Sequence, residues 1–347
     1  MMRSAAMLVL GMAGAAQATD TRIVAHRGAS AYLPEHTREA YLLAYGQGAD
    51  YLEPDLVMTR DGVLVARHDL TLEETTDVAE VFPGRARDDG RFYVADFTLA
   101  ELRRLNVRER IVAATGRARY PDRWPPDRGR FGIVTFDELV EFVVELNRAT
   151  GRSVGLYPEL KRPRFHAEQG LDMTAALLRA LAEHRLPRAD LPVIVQCFVP
   201  GPLQAIRSEH GDRFELIQLI GEASWGESAL DYDAMRSPAG LARVASYADG
   251  IGVPIGRLVG PGDDGGLRPL PLLDEARKAG LVVHPFTFRR ESMPVGVTLE
   301  AMLQFFIDEL AVEALFTDHP DVAIAVRGRK RAGPATEART AAVAAGQ

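Results

Sequence analysis

One cysteine in 347 residues, Cys197 within an apolar run, leaves no partner for an intramolecular disulfide and excludes a cysteine-ligated zinc site. Positive charge is also in short supply. The chain carries 41 Lys and Arg against 48 Asp and Glu, a formal charge of −7, which argues against nucleic acid as a bulk electrostatic partner while leaving room for a basic pocket that takes a single phosphate. The apolar stretch at the N-terminus is too short to cross a bilayer as a helix, so no stable membrane insertion is expected from it. No glycine-rich G-x-G-x-x-G turn follows the first apolar run, which weakens a dinucleotide-binding reading. Internal repeats are absent too.

What remains is a chain with 47% apolar residues, enough to bury one large core or two ordinary ones. Residues 1–18 have the form of a secretory signal: Arg3, an apolar stretch from Ala5 to Ala16, then Ala16-Gln17-Ala18 as a small-x-small cleavage site. Export is the expectation, without a cysteine to carry a lipid anchor. At the other end, residues 327–347 are poor in large apolar side chains and are expected to be a disordered tail.

Between these ends short apolar runs alternate with amphipathic stretches, the pattern of parallel strands joined by helices. Eight strands are predicted, at Arg22–Ala25, Tyr51–Val57, Gly155–Lys161, Val193–Phe198, Glu215–Ile220, Gly250–Val253, Leu281–Phe286 and Ala314–Thr317, with helices such as Phe136–Arg148, Met173–Glu183 and Leu299–Leu310 between them. Eight such units over residues 19–326 predict an α/β fold, a (β/α)8 TIM barrel, with a doubly wound open sheet as the competitor. The rhythm breaks at about 70–131, a stretch rich in Arg, Asp, Pro and Gly. It reads as a small insertion after the second strand, lying over the barrel's mouth, with one short helix at Leu99–Leu105 capped by Thr98.

The chemistry concentrates between Ile23 and Asp69. Side chains alternate along a strand, so Tyr51, Glu53 and Asp55 of YLEPDLV share a face. Two carboxylates crowded on a buried face repel each other, and a divalent cation is the usual means of keeping both ionised. GLYPELK repeats the alternation and adds Glu159 beside Lys161. An acidic pair one residue apart is as readily a solvated strand face, but Leu52, Leu56, Val57 and the third acid weigh against that. All-oxygen ligands favour Ca2+ or Mg2+. His26 and His68 each end a strand-like run and can divide acid and base duties. A lone histidine in apolar surroundings is more often a structural hydrogen-bonder, and His166, His184 and His210 are read that way, while His284 and His319 are left undecided, leaning the same way. Arg27 and Lys161 bring positive charge suited to phosphate oxygens or, more blandly, to pairing with the same acids.

HRGAS, LPEHT, GADYLEPDLVMTRDG, ARHD, GLYPELK, VQCF, YADGIG, VVHPFT and LFTDHPD together resemble the glycerophosphodiester phosphodiesterases, most closely their secreted, periplasmic bacterial branch, over about residues 22–326. The resemblance implies a TIM barrel, one divalent metal (Ca2+ in that branch, Mg2+ in some relatives), and hydrolysis of glycerophosphodiesters to sn-glycerol 3-phosphate and an alcohol. By position it makes His26 and His68 the acid–base pair, Glu53, Asp55 and Glu159 the metal carboxylates, and Arg27 and Lys161 the phosphate contacts. Phe198 and Phe286 fall on aromatic positions near the substrate. Glu35 is expected to hold Arg27, and Asp69, directly after His68, either to orient that ring or to cap a turn. A homodimer is left open, as is the choice of water or the substrate's own 2-hydroxyl as nucleophile. Pro54 stands where a strand residue would donate a hydrogen bond and is expected to cause a bulge. His36 replaces a common asparagine and is expected only to start a helix capped by Thr37. Two rivals follow: a related barrel enzyme that cleaves intact lysophospholipids or sphingolipids, which needs an apolar surface, and a non-catalytic ligand-binding protein on the same barrel.

Overall fold

The computed structural model describes residues 20–262 and 266–329. The signal-like stretch and residues 330–347 of the expected tail lie outside the described residues.

All eight predicted strands are present, and they run parallel around one barrel. They are β1 (Arg22–His26), β2 in two pieces (Tyr51–Glu53 and Asp55–Met58), β3 in two pieces (Gly155–Leu156 and Glu159–Leu160), β4 (Ile194–Cys197), β5 (Glu215–Leu219), β6 (Gly250–Pro254), β7 (Val282–Phe286) and β8 (Ala314–Thr317). Neighbours pair in chain order from β8 through β1, β2 and β3 to β7. Just past β7, Phe288 donates its amide to Phe316 (2.8 Å) and accepts from Asp318 (3.1 Å), joining β7 to β8 and completing the ring.

Alternation sorts the side chains into two cores. Val24, Tyr51, Tyr157, Ile194, Ile217 and Phe316 fill the barrel interior, while Leu52, Leu56, Leu156 and Leu160 face outward into the larger layer beneath the helices. The helix Phe136–Thr150 shows why these segments are helical. Thr135 and Glu138 form a reciprocal capping box, Leu139, Val140 and Val143 bury one face, and Gly151 ends it in a left-handed conformation.

The expected bulge at Pro54 does not form. Register is the same on either side of it, Tyr51 opposite Gly155 and Asp55 opposite Glu159, so no residue is inserted. Pro54 lacks a donor but its carbonyl still accepts from the Glu159 amide (2.9 Å), and the ladder carries through. The C-terminal boundary also shifts. Residues 320–329 are helical, and Arg327 is tied to Asp50 and to the Thr21 carbonyl, so composition placed the end of the fold a few residues early.

The insertion is a built subdomain. Val57, Val65, Leu72, Val94, Phe97, Leu102, Val107 and Phe131 make a core of their own. Its helix, capped by Thr98, stops at Leu102 rather than Leu105. A hairpin pairs Ile111–Val112 with Arg117–Ala118.

The turn leaving β1 sets the site's geometry. Arg27 (φ 61°) and Gly28 (φ 85°) both adopt left-handed backbone, and a Cβ on Gly28 would lie 2.8 Å from the Ala40 carbonyl carbon. Only glycine fits there without moving the helix Arg38–Gly46. Gly28→Ala is therefore expected to cost roughly 1–3 kcal/mol, read as a lower urea midpoint with an unchanged slope.

Candidate active site

The later halves of β1, β2 and β3, the hairpin strand Leu64–Ala66 that precedes His68, and the ends of β4 and β7 bring the predicted residues together at the C-terminal mouth of the barrel, where sites in this architecture lie. Glu53, Asp55 and Glu159 each offer an oxygen within 4.8 Å of the others, and all three are buried. Burial and mutual repulsion push Glu53 well above the usual carboxylate range. Burial also lifts Glu159, against the pull of Lys161. Asp55 goes the other way: burial alone would raise it, but Lys161, Arg27 and a hydrogen bond from His36 hold it well below.

These residues fit a divalent cation. The side-chain oxygen of Gln196 is buried without a hydrogen-bond partner, a cost an ion would remove. The donors are all oxygen, as a hard cation requires. Gln196, on β4, also donates to Glu53 (3.2 Å).

Cations of the chain surround the acids. The Arg27 amide donates to Glu53 (2.9 Å), and its guanidinium lies 3.2 Å from both Asp55 and Glu35. Lys161 sits 2.8 Å from Glu159 and 3.8 Å from Asp55. Both line the cavity that opens above the triad, together with His26, His68, Phe198 and Phe286.

Each histidine has a carboxylate behind it. His26 Nδ1 lies 2.6 Å from Asp318, and His68 Nδ1 lies 2.7 Å from Asp69. With Nδ1–H directed at a carboxylate, each ring turns Nε2 away from it. Burial and the Arg27 charge push His26 down to about 3, so its ring is neutral at pH 7. Burial, Arg27 and Lys161 lower His68 as well, against Asp69.

The insertion supplies an arginine for each of those carboxylates. Arg110 donates to Asp69 (2.5 Å) and to Glu35 (2.7 Å). Arg123 donates to Asp318 (2.7 Å) and pairs with Glu291. Against burial, both acids are held below the usual carboxylate range, Asp69 by His68 and then Arg110, and Asp318 by Arg289 (3.5 Å), His26 and then Arg123.

Sequence reasoning missed several of these residues. His36 does more than start a helix: in a left-handed conformation (φ 61°), it bridges the Asp55 carboxylate (2.9 Å) and the Tyr41 hydroxyl (2.8 Å), fixing that acid. Thr37 does cap the helix. Gln196 could have been found, as the polar residue at an inward position of VQCF. Asp318 follows β8 directly, yet nothing local ties it to His26, 292 positions away. Arg110 and Arg123 carried no signal within an arginine-rich stretch. The two histidines left undecided have structural contacts: His284 is buried against the Tyr157 hydroxyl (2.8 Å), and His319 packs edge-on to Tyr32.

A barrel with an acidic cation pocket, flanked by two carboxylate-backed imidazoles and two cations, defines the class: an α/β-barrel protein built to handle an anionic ester. The family profile of the glycerophosphoryl diester phosphodiesterases matches residues 26–322. The chain is 37% identical to a glycerophosphodiester phosphodiesterase of Haemophilus influenzae, over 90% of this chain and 91% of that one. It is 33% identical to one of Treponema pallidum, over 90% and 93%. The chain belongs to this family. Among solved structures, a phosphodiesterase of Oleispira antarctica in complex with the product sn-glycerol-3-phosphate shares the fold with a TM-score of 0.61 at 20% identity, covering 89% of this chain and 98% of that one. A glycerophosphodiester phosphodiesterase of Agrobacterium tumefaciens does so with a TM-score of 0.56 at 24% identity, covering 88% and 99%.

Adding Ca2+ or Mg2+ at about 100-fold its Kd is expected to stabilise the fold by about 2.7 kcal/mol, seen as a rise in the thermal midpoint that EDTA reverses. Glu53→Gln or Glu159→Gln should remove that rise. An unaltered rise in both variants would place the ion elsewhere.

Proposed function

We propose that this chain is a metal-dependent phosphodiesterase that hydrolyses glycerophosphodiesters, the deacylated forms of phospholipids, to sn-glycerol 3-phosphate and an alcohol. The observation that carries the reading is the convergence of Glu53, Asp55 and Glu159 beneath two carboxylate-backed histidines within one cavity. Family membership and the product seen in the Oleispira relative support the substrate class.

Glu53, Asp55 and Glu159 would hold the ion, which when bound neutralises phosphate charge and acidifies an attacking hydroxyl. Arg27 and Lys161 stabilise the charge that grows on the phosphate oxygens. His26, neutral and with Nε2 free, takes the proton of the nucleophile. His68 gives a proton to the departing alkoxide. An incoming phosphodiester anion favours the imidazolium of His68, offsetting the neighbouring cations. Asp318 and Asp69 keep the two rings oriented and their Nδ1 atoms protonated. Ca2+ is the resident ion we favour, because three carboxylates without nitrogen or sulfur donors suit a large, hard cation. Periplasmic export is supported by Arg3, the Ala5–Ala16 stretch and Ala16-Gln17-Ala18.

A coupled assay for glycerol 3-phosphate release should show activity that EDTA abolishes and a divalent cation restores. His26→Ala and His68→Ala should each lose about 10²–10⁴-fold in kcat. Undiminished turnover in both would leave a binding protein on an enzyme's barrel.

Arg123→Met should lower kcat by about tenfold with KM little changed, because Arg123 is not among the residues that line the cavity and Asp318 loses the nearer of its two guanidinium partners. Arg123→Lys should recover part of the loss. Equal losses in the two variants would mean that Arg123 serves the fold alone.

A further inference from the structure

The arginines of the insertion fall into two groups. Arg85, Arg87, Arg91 and Arg103 each meet a carboxylate at between 2.7 and 2.8 Å. The arm formed by residues 111–130 is different. Arg117, Arg119, Arg128 and Arg130 are all exposed, and none has an acidic partner among the described residues. Asp122 and Asp127 are the arm's only acids. In a chain whose formal charge is −7, this arm is a locally positive strip.

The strip borders the mouth of the barrel. Arg123 donates to Glu291 (2.7 Å) and Tyr120 accepts from Arg289 (3.1 Å), so the arm is fastened to the segment that follows β7. A few residues on, that segment turns through Met293-Pro294-Val295, and Val295 is fully open to solvent, 104% exposed. Trp225, which follows β5, stands at the same rim and is 44% exposed. The other exposed large apolar side chain among the described residues, Leu42, lies on the helix Arg38–Gly46 and does not line the cavity. Apolar groups held open beside unpaired cations mark a surface that meets something other than water.

We propose that the mouth of the barrel docks on an anionic lipid surface, with Arg117, Arg119, Arg128 and Arg130 against the head groups and Trp225 and Val295 dipping into the interface. Three features select a bilayer over a protein partner. Tryptophan is well suited to the boundary between head groups and acyl chains, where its ring is covered and its N–H stays wet. Arginines without protein partners keep their full charge for the surface potential of anionic lipid, which is worth about fivefold in partitioning for each. Peripheral attachment draws on both apolar area and electrostatic attraction, and the rim and the arm supply one each. The contact is peripheral, since no helix among the described residues is long and apolar enough to cross a membrane. Docking goes beyond the phosphodiesterase reading and does not depend on it. It would bring the mouth to the place where deacylation of membrane phospholipids releases glycerophosphodiesters.

The test is co-sedimentation of the native chain with vesicles of phosphatidylcholine alone and of equimolar phosphatidylcholine and phosphatidylglycerol. Binding to the mixed vesicles should exceed binding to the neutral ones and fall as salt rises. Each Arg→Gln change at the four positions should weaken it about fivefold in protein whose thermal midpoint is retained, and Val295→Asp should weaken it with the arginines intact. Brominated phospholipid in the mixed vesicles should quench the native fluorescence. Trp225→Phe should remove most of that quenching, because Trp124, the other tryptophan, packs against Phe131 of the insertion's core. If the Trp225 or Val295 variant does not fold, the salt dependence and the arginine series decide. Equal binding to the two kinds of vesicle, or binding to neither, overturns the proposal, as does quenching that Trp225→Phe leaves unaltered. A dimer in solution that shields Trp225 and excludes vesicles also overturns it, by assigning the rim to a second copy of the chain. None of these outcomes touches the phosphodiesterase reading, which glycerol 3-phosphate release tests separately.

Discussion

Three carboxylates forced together in the dry mouth of a barrel dominate this structure. Like charges at such separations cannot all ionise in a low-dielectric site without compensation. The chain compensates only in part: Arg27 and Lys161 hold Asp55 ionised, while Glu53 and Glu159 are driven toward their protonated forms. That imbalance is what a divalent cation relieves, and the unpartnered oxygen of Gln196 beside the acids fits the same account. A site that stabilised its acids fully with protein cations would have nothing to gain from an ion.

Around that cluster, placement depends on rigid supports from distant parts of the chain. His26 is aimed by Asp318 at the end of β8, and His68 by its neighbour Asp69, but both acids are anchored by arginines of the insertion. A carboxylate held by a guanidinium stays charged and keeps its place, so the imidazole it faces has one orientation and one tautomer. The insertion therefore acts on the site without lining the ionic side of the cavity, and its separate core gives Arg110 and Arg123 fixed positions to reach from. Strain gathers at the same place. Arg27 and His36 both take left-handed backbone, and both touch Asp55. Such conformations persist where surrounding contacts over-determine them.

Much of this was legible in sequence because two of its causes are local. Strand alternation put Glu53, Asp55 and Glu159 on the inward face and Leu52, Leu56 and Leu160 on the outer one. Apolar periodicity located eight strands to within a residue or two. What escaped was either long-range or chemically ambiguous. The pairing of His26 with Asp318 exists only because β1 and β8 are neighbours in the closed ring, a fact of topology. Arg110 and Arg123 are two arginines among many, and their roles appear only once the insertion is folded against the mouth. His36 was misread because its neighbour Thr37 accounted for the helix start, leaving no reason to ask what the imbazole-bearing position before it did. Pro54 was misread for the opposite reason: a missing donor suggested a bulge, but a parallel ladder tolerates one absent N–H when the carbonyl still accepts.

The order of strands around the ring also divides the mouth by chemistry. Because β1, β2 and β3 are consecutive in sequence and adjacent in space, the charged groups cluster on one arc. The loops after β5, β6 and β7 form the facing arc, where Glu227 and Arg289 are the charged side chains among a largely apolar lining. Barrels permit this separation because each loop varies without disturbing the strand beneath it. Here the facing arc has become apolar: Leu219 is buried at the end of β5, and Ile255 and Met293 are half-exposed above it.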